Sequence, residues 1–201
     1  MNKEKLDVVF VLDNSGSMGG SEHNTIASYN EYLEREKHKK YNVDVTTVLF
    51  NDHYHYLYKK KNIKEVKPLT KKEYKVGGCT ALYDALGNTI NYMKDTTNKV
   101  LFIIITDGME NASKEFNRNR IKRLIKKYNN FEFIYIGADI DSYEAGGSIG
   151  ICRENIANYK KDAKGTKILF ESVDCFEEAM MCGTSSKDWK KELDKYIDNN
   201  L

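Results

Sequence analysis

Asp13, Ser15 and Ser17 stand at alternate positions directly after a short apolar run, Leu6 to Leu12. The run has the β-branched content and bounded length of a buried strand, with one charge, Asp7, near its start. One carboxylate and two hydroxyls on a tight loop, with Gly16 between the serines to let the backbone turn, are hard oxygen donors. That donor type suits a hard divalent cation such as Mg2+. Two further residues have compatible chemistry. Thr80 follows Gly77-Gly78-Cys79 and opens a helical stripe, and Asp107 closes a second apolar run, Val100 to Thr106, just before Gly108. Each has a plainer reading when taken alone, since Ser and Thr cap helices and Asp-Gly makes turns.

The elements between these residues must bring them together. A helix is expected from about Ser21 to Lys39, with Ile26, Tyr29 and Leu33 on one stripe. A strand from Val43 to Phe50 is separated only by Asn51-Asp52 from His53–Tyr58, a link of hairpin length, so the latter should run antiparallel at the sheet edge. His53 and His55 would share a face of that strand, but no third metal ligand lies nearby in sequence. A Lys-rich connection, Asn62 to Val76, leads to the stripe Leu82, Ala85, Leu86, Thr89, Ile90 and Met93, with Thr80 as the candidate cap. Val100–Thr106 is apolar on both faces and therefore central. A third helix is expected from Ser113, a strand at Phe131–Ile136, a short helical or irregular piece over Asp139–Gly150, a strand at Asn155–Asn158 and a helix from Thr166. A last helix begins at Ser185 or Ser186, where Ser185-x-x-Asp188 resembles a capping box, and offers Trp189, Leu193, Tyr196 and Ile197 as its apolar face.

Strands alternating with helices predict an α/β fold: a three-layer, doubly wound, mostly parallel six-stranded sheet with one antiparallel edge strand and helices on both faces. In such sheets ligands bind at the carboxyl ends of the strands, where the strand order reverses. If the first and fourth strands are neighbours, Asp13 and Asp107 face one another there. The loop carrying Thr80 reaches the same edge.

Read together, Asp13-x-Ser15-x-Ser17, Gly78-Cys79-Thr80 and Thr106-Asp107-Gly108 resemble, in order and spacing, the three elements of the metal-ion-dependent adhesion site of von Willebrand factor A domains. The surrounding hydrophobic pattern is similar from about Leu6 to Met180, and none of the five ligand positions departs from the motif. Gly147–Gly150 and Asn155–Tyr159 also resemble small stand-alone bacterial and phage members. The resemblance implies that Ser15 and Ser17 ligate Mg2+ directly. It implies that Thr80 does so in a ligand-competent state, and that Asp13 and Asp107 act through water or by hydrogen-bonding the inner ligands. Mn2+ is an alternative at an oxygen site. The resemblance further implies a Rossmann-like fold and a protein partner whose Asp or Glu carboxylate completes the coordination, met by loops around Asn14, Gly16, Met18, Gly78 and Gly108. Cys79 is read as inert packing, with oxidation sensitivity as the alternative.

Composition narrows the function classes. The 201 residues are expected to form one domain, with a core of about 6–183 and a C-terminal helix over 184–201 packed on or flanking it. A net charge of +2, from 32 basic and 30 acidic residues, argues against broad capture of nucleic acid. No apolar stretch is long enough to span a bilayer, and the run after Lys3 and Lys5 reads as a strand rather than a signal peptide. Four cysteines without C-x-x-C spacing are expected to be reduced, in a cytoplasmic protein. The expected function is a non-catalytic, metal-dependent protein-binding module. One rival is a metal-dependent hydrolase using the same site. A phosphotransferase of the haloacid dehalogenase type, however, needs a second carboxylate where Ser15 stands, and a Gly-Lys-Ser/Thr nucleotide loop is absent. The other rival is a scaffold working through its C-terminal helix with a vestigial metal site. Oligomeric state is left open.

Overall fold

The computed structural model describes residues 5–200. Its strands are β1 (Lys5–Asp13), β2 (Asn42–Phe50), β3 (Tyr54–Asn62), β4 (Lys99–Thr106), β5 (Phe131–Gly137) and β6 (Ile156–Asn158). The helices are α1 (Glu22–Glu36), α2 (Leu82–Met93), α3 (Arg118–Lys127), α4 (Ser142–Ser148), α5 (Ala163–Cys182) and α6 (Lys191–Asp198). The sheet order is β3-β2-β1-β4-β5-β6, with every pairing parallel except β2–β3. This is the expected doubly wound α/β sheet. The order reverses at β1, between β2 and β4.

Burial explains why β1 and β4 read as continuous apolar runs, since each is covered on both faces. Leu6, Val8, Phe10 and Leu12 of β1 point into a core shared with Tyr29 and Tyr32 of α1 and with Leu169, Phe170 and Phe176 of α5. Val9 and Val11 point the other way, toward Leu86 and Ile90 of α2 and Ile121 of α3. The period of two along the strand thus divides one apolar run between two cores. Phe10 lies edge-on to both Tyr29 and Tyr32, with ring centroids 5.1 Å apart in each case.

Register sets the site. Leu12 lies opposite Ile105 across β1–β4, and Asp13 opposite Phe50 across β1–β2, so Asp13 and Thr106 end their strands at the same level. The β2–β3 hairpin forms the antiparallel edge as expected, but β3 begins at Tyr54 and continues through the lysines to Asn62. His53 therefore lies outside the strand, and the proposed His53–His55 face does not form.

Several helix starts differ from the sequence expectation, each for a local reason. Thr80 does not cap α2, whose cap position is Ala81. The first turn of α2 is instead satisfied from a distant segment: Tyr83 N donates to Glu110 Oε2 at 2.9 Å and Asp84 N to Ser113 Oγ at 3.1 Å. Ser113, engaged in this way, does not start α3, which begins at Arg118 with Asn117 accepting from Arg120 N at 3.0 Å. α5 starts earlier than Thr166 because Asp162 caps it, accepting from Gly165 N at 2.7 Å. It ends at Gly183 in the left-handed region, φ 65°. The capping box at Ser185 does not form, and α6 begins only at Lys191. The intervening turn seats Trp189, which is buried, meets Phe176 edge-on at 5.6 Å and donates its indole N–H to Glu154 O at 2.8 Å. Leu193 is buried beside it in the same core, while Tyr196 and Ile197 are only half-buried. Among the described residues, no helix is long and apolar enough to cross a membrane.

Candidate metal centre

The loop after β1 is held by its neighbours before any ligand is considered. Asn14 N donates to Phe50 O at 2.8 Å, continuing the β1–β2 ladder by one residue. The buried Tyr74 hydroxyl donates to Asp13 O at 2.5 Å. Asn14 Nδ2 donates to Lys75 O at 2.7 Å, Gly77 N to Asn14 O at 3.0 Å and Gly16 N to Gly78 O at 3.0 Å. The first and second loops are thereby stitched together. Gly78 takes φ +78°, a conformation that L side chains rarely adopt, and a Cβ there would also push aside the Asp52 carboxylate.

The five predicted residues meet at this edge. Asp13 Oδ1 accepts from Ser15 N at 2.6 Å, and Asp13 Oδ2 accepts from Thr106 Oγ1 at 2.5 Å. The Ser15 and Ser17 hydroxyl oxygens lie 3.0 Å apart, and Ser17 Oγ donates to Asp107 Oδ1 at 2.5 Å. Thr80 is gripped by its backbone: Thr80 N donates to Asn111 Oδ1 at 2.9 Å, and Thr80 O accepts from Asn111 N at 3.0 Å. A Cβ on Gly108 would lie 2.5 Å from Thr80 Oγ1, 3.2 Å from Ser17 Oγ and 3.4 Å from Asp13 Oδ2. Three oxygens from two loops therefore converge beside a residue of a third, Gly108, that has no side chain to fill the space. Asp13, Ser15, Thr80 and Asp107 are buried, whereas Ser17 is exposed, so the cluster opens to solvent on the Ser17 side.

The donors are two carboxylates and three hydroxyls, a set that fits a small hard cation. Among the described residues no group of three or more His, Cys, Asp or Glu side chains gathers as a metal site, so the hydroxyls are essential to this one. Burial raises the Asp13 carboxyl above its ordinary value; the hydrogen bonds from Thr106 and Ser15 oppose that, and the nearby Asp107 adds to it. A cation placed beside it reverses that cost.

Sequence reasoning missed the roles of four residues here. Thr106 orients Asp13. Asn111 and Glu110 hold the third loop onto Thr80 and α2, with Glu110 Oε1 accepting from Ala112 N and Ser113 N at 3.0 and 2.8 Å. Lys161, from the β6–α5 loop, places Nζ 2.7 Å from Asp107 Oδ2, 2.9 Å from Asp139 Oδ2 and 3.2 Å from Ser17 O. Burial works against its ammonium, but the hydrogen bonds to Asp107 and Asp139 outweigh that and raise its pKa. Thr106, inside the Thr106-Asp107-Gly108 element, and Asn111 and Glu110, close after it, carried a positional hint; Lys161 carried none. Cys79 is exposed, not packed, and all four histidines are exposed as well.

Gly146-Gly147-Ser148-Ile149-Gly150 has the spacing of a hydrolase nucleophile elbow, so reading the chain as lacking a Gly-x-Ser-x-Gly motif is wrong. Ser148 instead ends α4 and donates its hydroxyl to Ala145 O at 2.8 Å. It does not sit on a strand-to-helix turn.

A von Willebrand factor type A domain profile matches residues 7–166. Among curated proteins, none matches the chain. Proximal thread matrix protein 1 from the mussel byssus, in a structure with a zinc-occupied adhesion-site motif, is similar with a TM-score of 0.64 at 19% identity, over 85% of this chain and 45% of that one. An ArnB paralog from Sulfolobus acidocaldarius is similar with a TM-score of 0.58 at 18% identity, over 86% and 45%. The von Willebrand domain of a type V pilus tip protein from Porphyromonas gingivalis is similar with a TM-score of 0.60 at 12% identity, over 86% and 96%. The chain spans less than half the length of the mussel and Sulfolobus chains, and at these identities the likeness concerns the fold.

Proposed function

The chain belongs to the von Willebrand factor type A family, and from that premise we propose that it is a non-catalytic, metal-dependent protein-binding module. Asp13, Ser15, Ser17, Thr80 and Asp107 are its metal-site residues. The observation that carries this reading is the convergence of Thr80, Ser17 and Asp13 oxygens beside Gly108. A bound divalent cation, Mg2+ in the cell with Mn2+ as a substitute, supplies an electrophilic point that a partner's Asp or Glu carboxylate completes.

The chain's own residues set the character of that point. Ser15, Ser17 and Thr80 offer neutral hydroxyls, which leave the cation's charge largely unspent. Asp13 is tied down by Ser15 N and Thr106 Oγ1, so its role is to orient neighbours and balance charge rather than to move. Asp107 accepts the Ser17 hydroxyl hydrogen bond, so the Ser17 oxygen keeps its lone pairs for other partners. Met109, two residues on, is 70% exposed and gives an arriving partner an apolar edge beside the carboxylate position. The zinc-occupied motif of the mussel protein supports a divalent ion at this place in the fold. A cytoplasmic setting belongs to the same proposal.

Isothermal titration of metal-stripped protein with Mg2+ and Mn2+, beside Ser15→Ala and Asp107→Ala variants, tests the proposal. Saturable one-site binding, weakened at least about tenfold in both variants, is expected, on the scale of losing a charged-group interaction. A folded wild-type chain that binds neither ion overturns the proposal.

A further inference from the structure

The residue at the site that no metal-site motif accounts for is Lys161. Its ammonium touches two of the five positions at once, the Asp107 carboxylate and the Ser17 carbonyl, and is held from the far side by Asp139. Both supporting segments are anchored. Tyr159 N donates to Gly137 O at 2.9 Å, fixing the chain just before Lys161, and Asp162 just after it caps α5. Asp139 adopts φ +55°, one of only two non-glycine residues with positive φ among the described residues. Asp tolerates that conformation better than most side chains. The strain falls on a residue that pairs with Lys161 and whose own side chain is otherwise largely exposed.

We infer that Lys161 is an internal counter-cation of the metal site: held on Asp107 by the Asp139 clamp, it opposes a divalent cation there and lowers the site's affinity for it. The inference rests on the metal-binding reading above. Its physical basis is charge. Two buried carboxylates, Asp13 and Asp107, otherwise face one another with no cation, and Lys161 neutralises one of them. An incoming cation then meets a site whose net negative charge is already reduced and which holds a positive group of its own. A partner's carboxylate restores the missing negative charge. Metal and partner therefore raise each other's affinity, reciprocally.

The test is Mn2+ titration of the metal-stripped full chain and its variants. Lys161→Met should bind Mn2+ about tenfold more tightly than wild type, the scale of one partly exposed charge interaction. Lys161→Arg keeps the charge and should stay within about twofold of wild type on the same scale. Asp139→Asn frees Lys161 from its hold on Asp107 and should bind Mn2+ more tightly than wild type, and that gain should vanish in the Lys161→Met background, because the clamp acts through the lysine. Circular dichroism of each variant confirms the fold. If wild type binds Mn2+ and Ser15→Ala weakens it, but Lys161→Met binds no more tightly, this inference fails and the metal-binding reading stands. If neither wild type nor Lys161→Met binds, both fail.

Discussion

Thr106 donates its hydroxyl to Asp13 Oδ2 at 2.5 Å, across 93 positions of sequence. Thr106 Oγ1 in turn accepts from Gly108 N at 3.1 Å. One side chain at the end of β4 thus both aims the carboxylate at the end of β1 and shapes the turn that follows. Thr106→Val keeps the shape and removes the donor, leaving the buried Asp13 carboxylate short of a partner. A loss of about 1–3 kcal/mol in urea unfolding is expected, with Thr106→Ser close to wild type.

Gly108→Ala places a methyl group among the Thr80, Ser17 and Asp13 oxygens. Nothing in the sheet core depends on that space, so the variant should melt close to wild type in chelator yet bind Mn2+ at least about tenfold more weakly on titration. Normal binding by this variant would place the cation elsewhere.

Glu36 gives a stability signal unrelated to the metal site. It is buried, and neither carboxylate oxygen has a hydrogen-bond partner. Around it lie Glu177, which accepts from the Tyr32 and Tyr41 hydroxyls at 2.6 and 2.7 Å, Lys39 Nζ at 3.7 Å, and Asp174 paired with Arg35. Burial first, and the Glu177 charge second, push the Glu36 carboxyl far above its ordinary value of 4.5. The folded state therefore holds a proton that the unfolded chain has released, and stability falls as pH rises above that ordinary value. Urea unfolding at pH 5.5 and 8.5 should show a Glu36-dependent loss of at most about 1.4 kcal/mol per pH unit. Glu36→Gln should flatten that part of the profile.

Trp189 is buried against Phe176 although it precedes α6 instead of belonging to it. Trp189→Ala should cost about 3–5 kcal/mol in urea unfolding. A near-neutral result would return the C-terminal segment to candidacy as a docking surface.

Much of the architecture was legible in the chain. The runs Leu6–Leu12 and Val100–Thr106 announced central strands because burial on both faces demands continuous apolar residues. The two-residue Asn51-Asp52 link announced the one antiparallel pair. Asp13-x-Ser15-x-Ser17 and Asp107 stand out as hard oxygen donors directly after apolar runs, and the resemblance to the adhesion-site motif ties Thr80 to them. The helix starts at Thr80, Ser113 and Ser185 misled, because a side chain that can cap its own helix can equally serve a distant one. Ser113 and Glu110 serve α2, and Thr80 is held by Asn111.

By itself the sequence determined the alternation of elements and the identity of the oxygen donors, because periodicity and residue type are local properties. Only the tertiary structure decided which groups those donors face. Lys161 sits in a run, Tyr159-Lys160-Lys161-Asp162, that reads as a solvated turn, and Asp139 in one that reads as an irregular loop. Their meeting at Asp107 follows from the packing of β6 beside β5 and β5 beside β4, which sets three loops at one edge of the sheet. Long-range ion pairs of this kind leave no periodic trace in the chain, since the geometry that makes them belongs to the sheet and not to either segment.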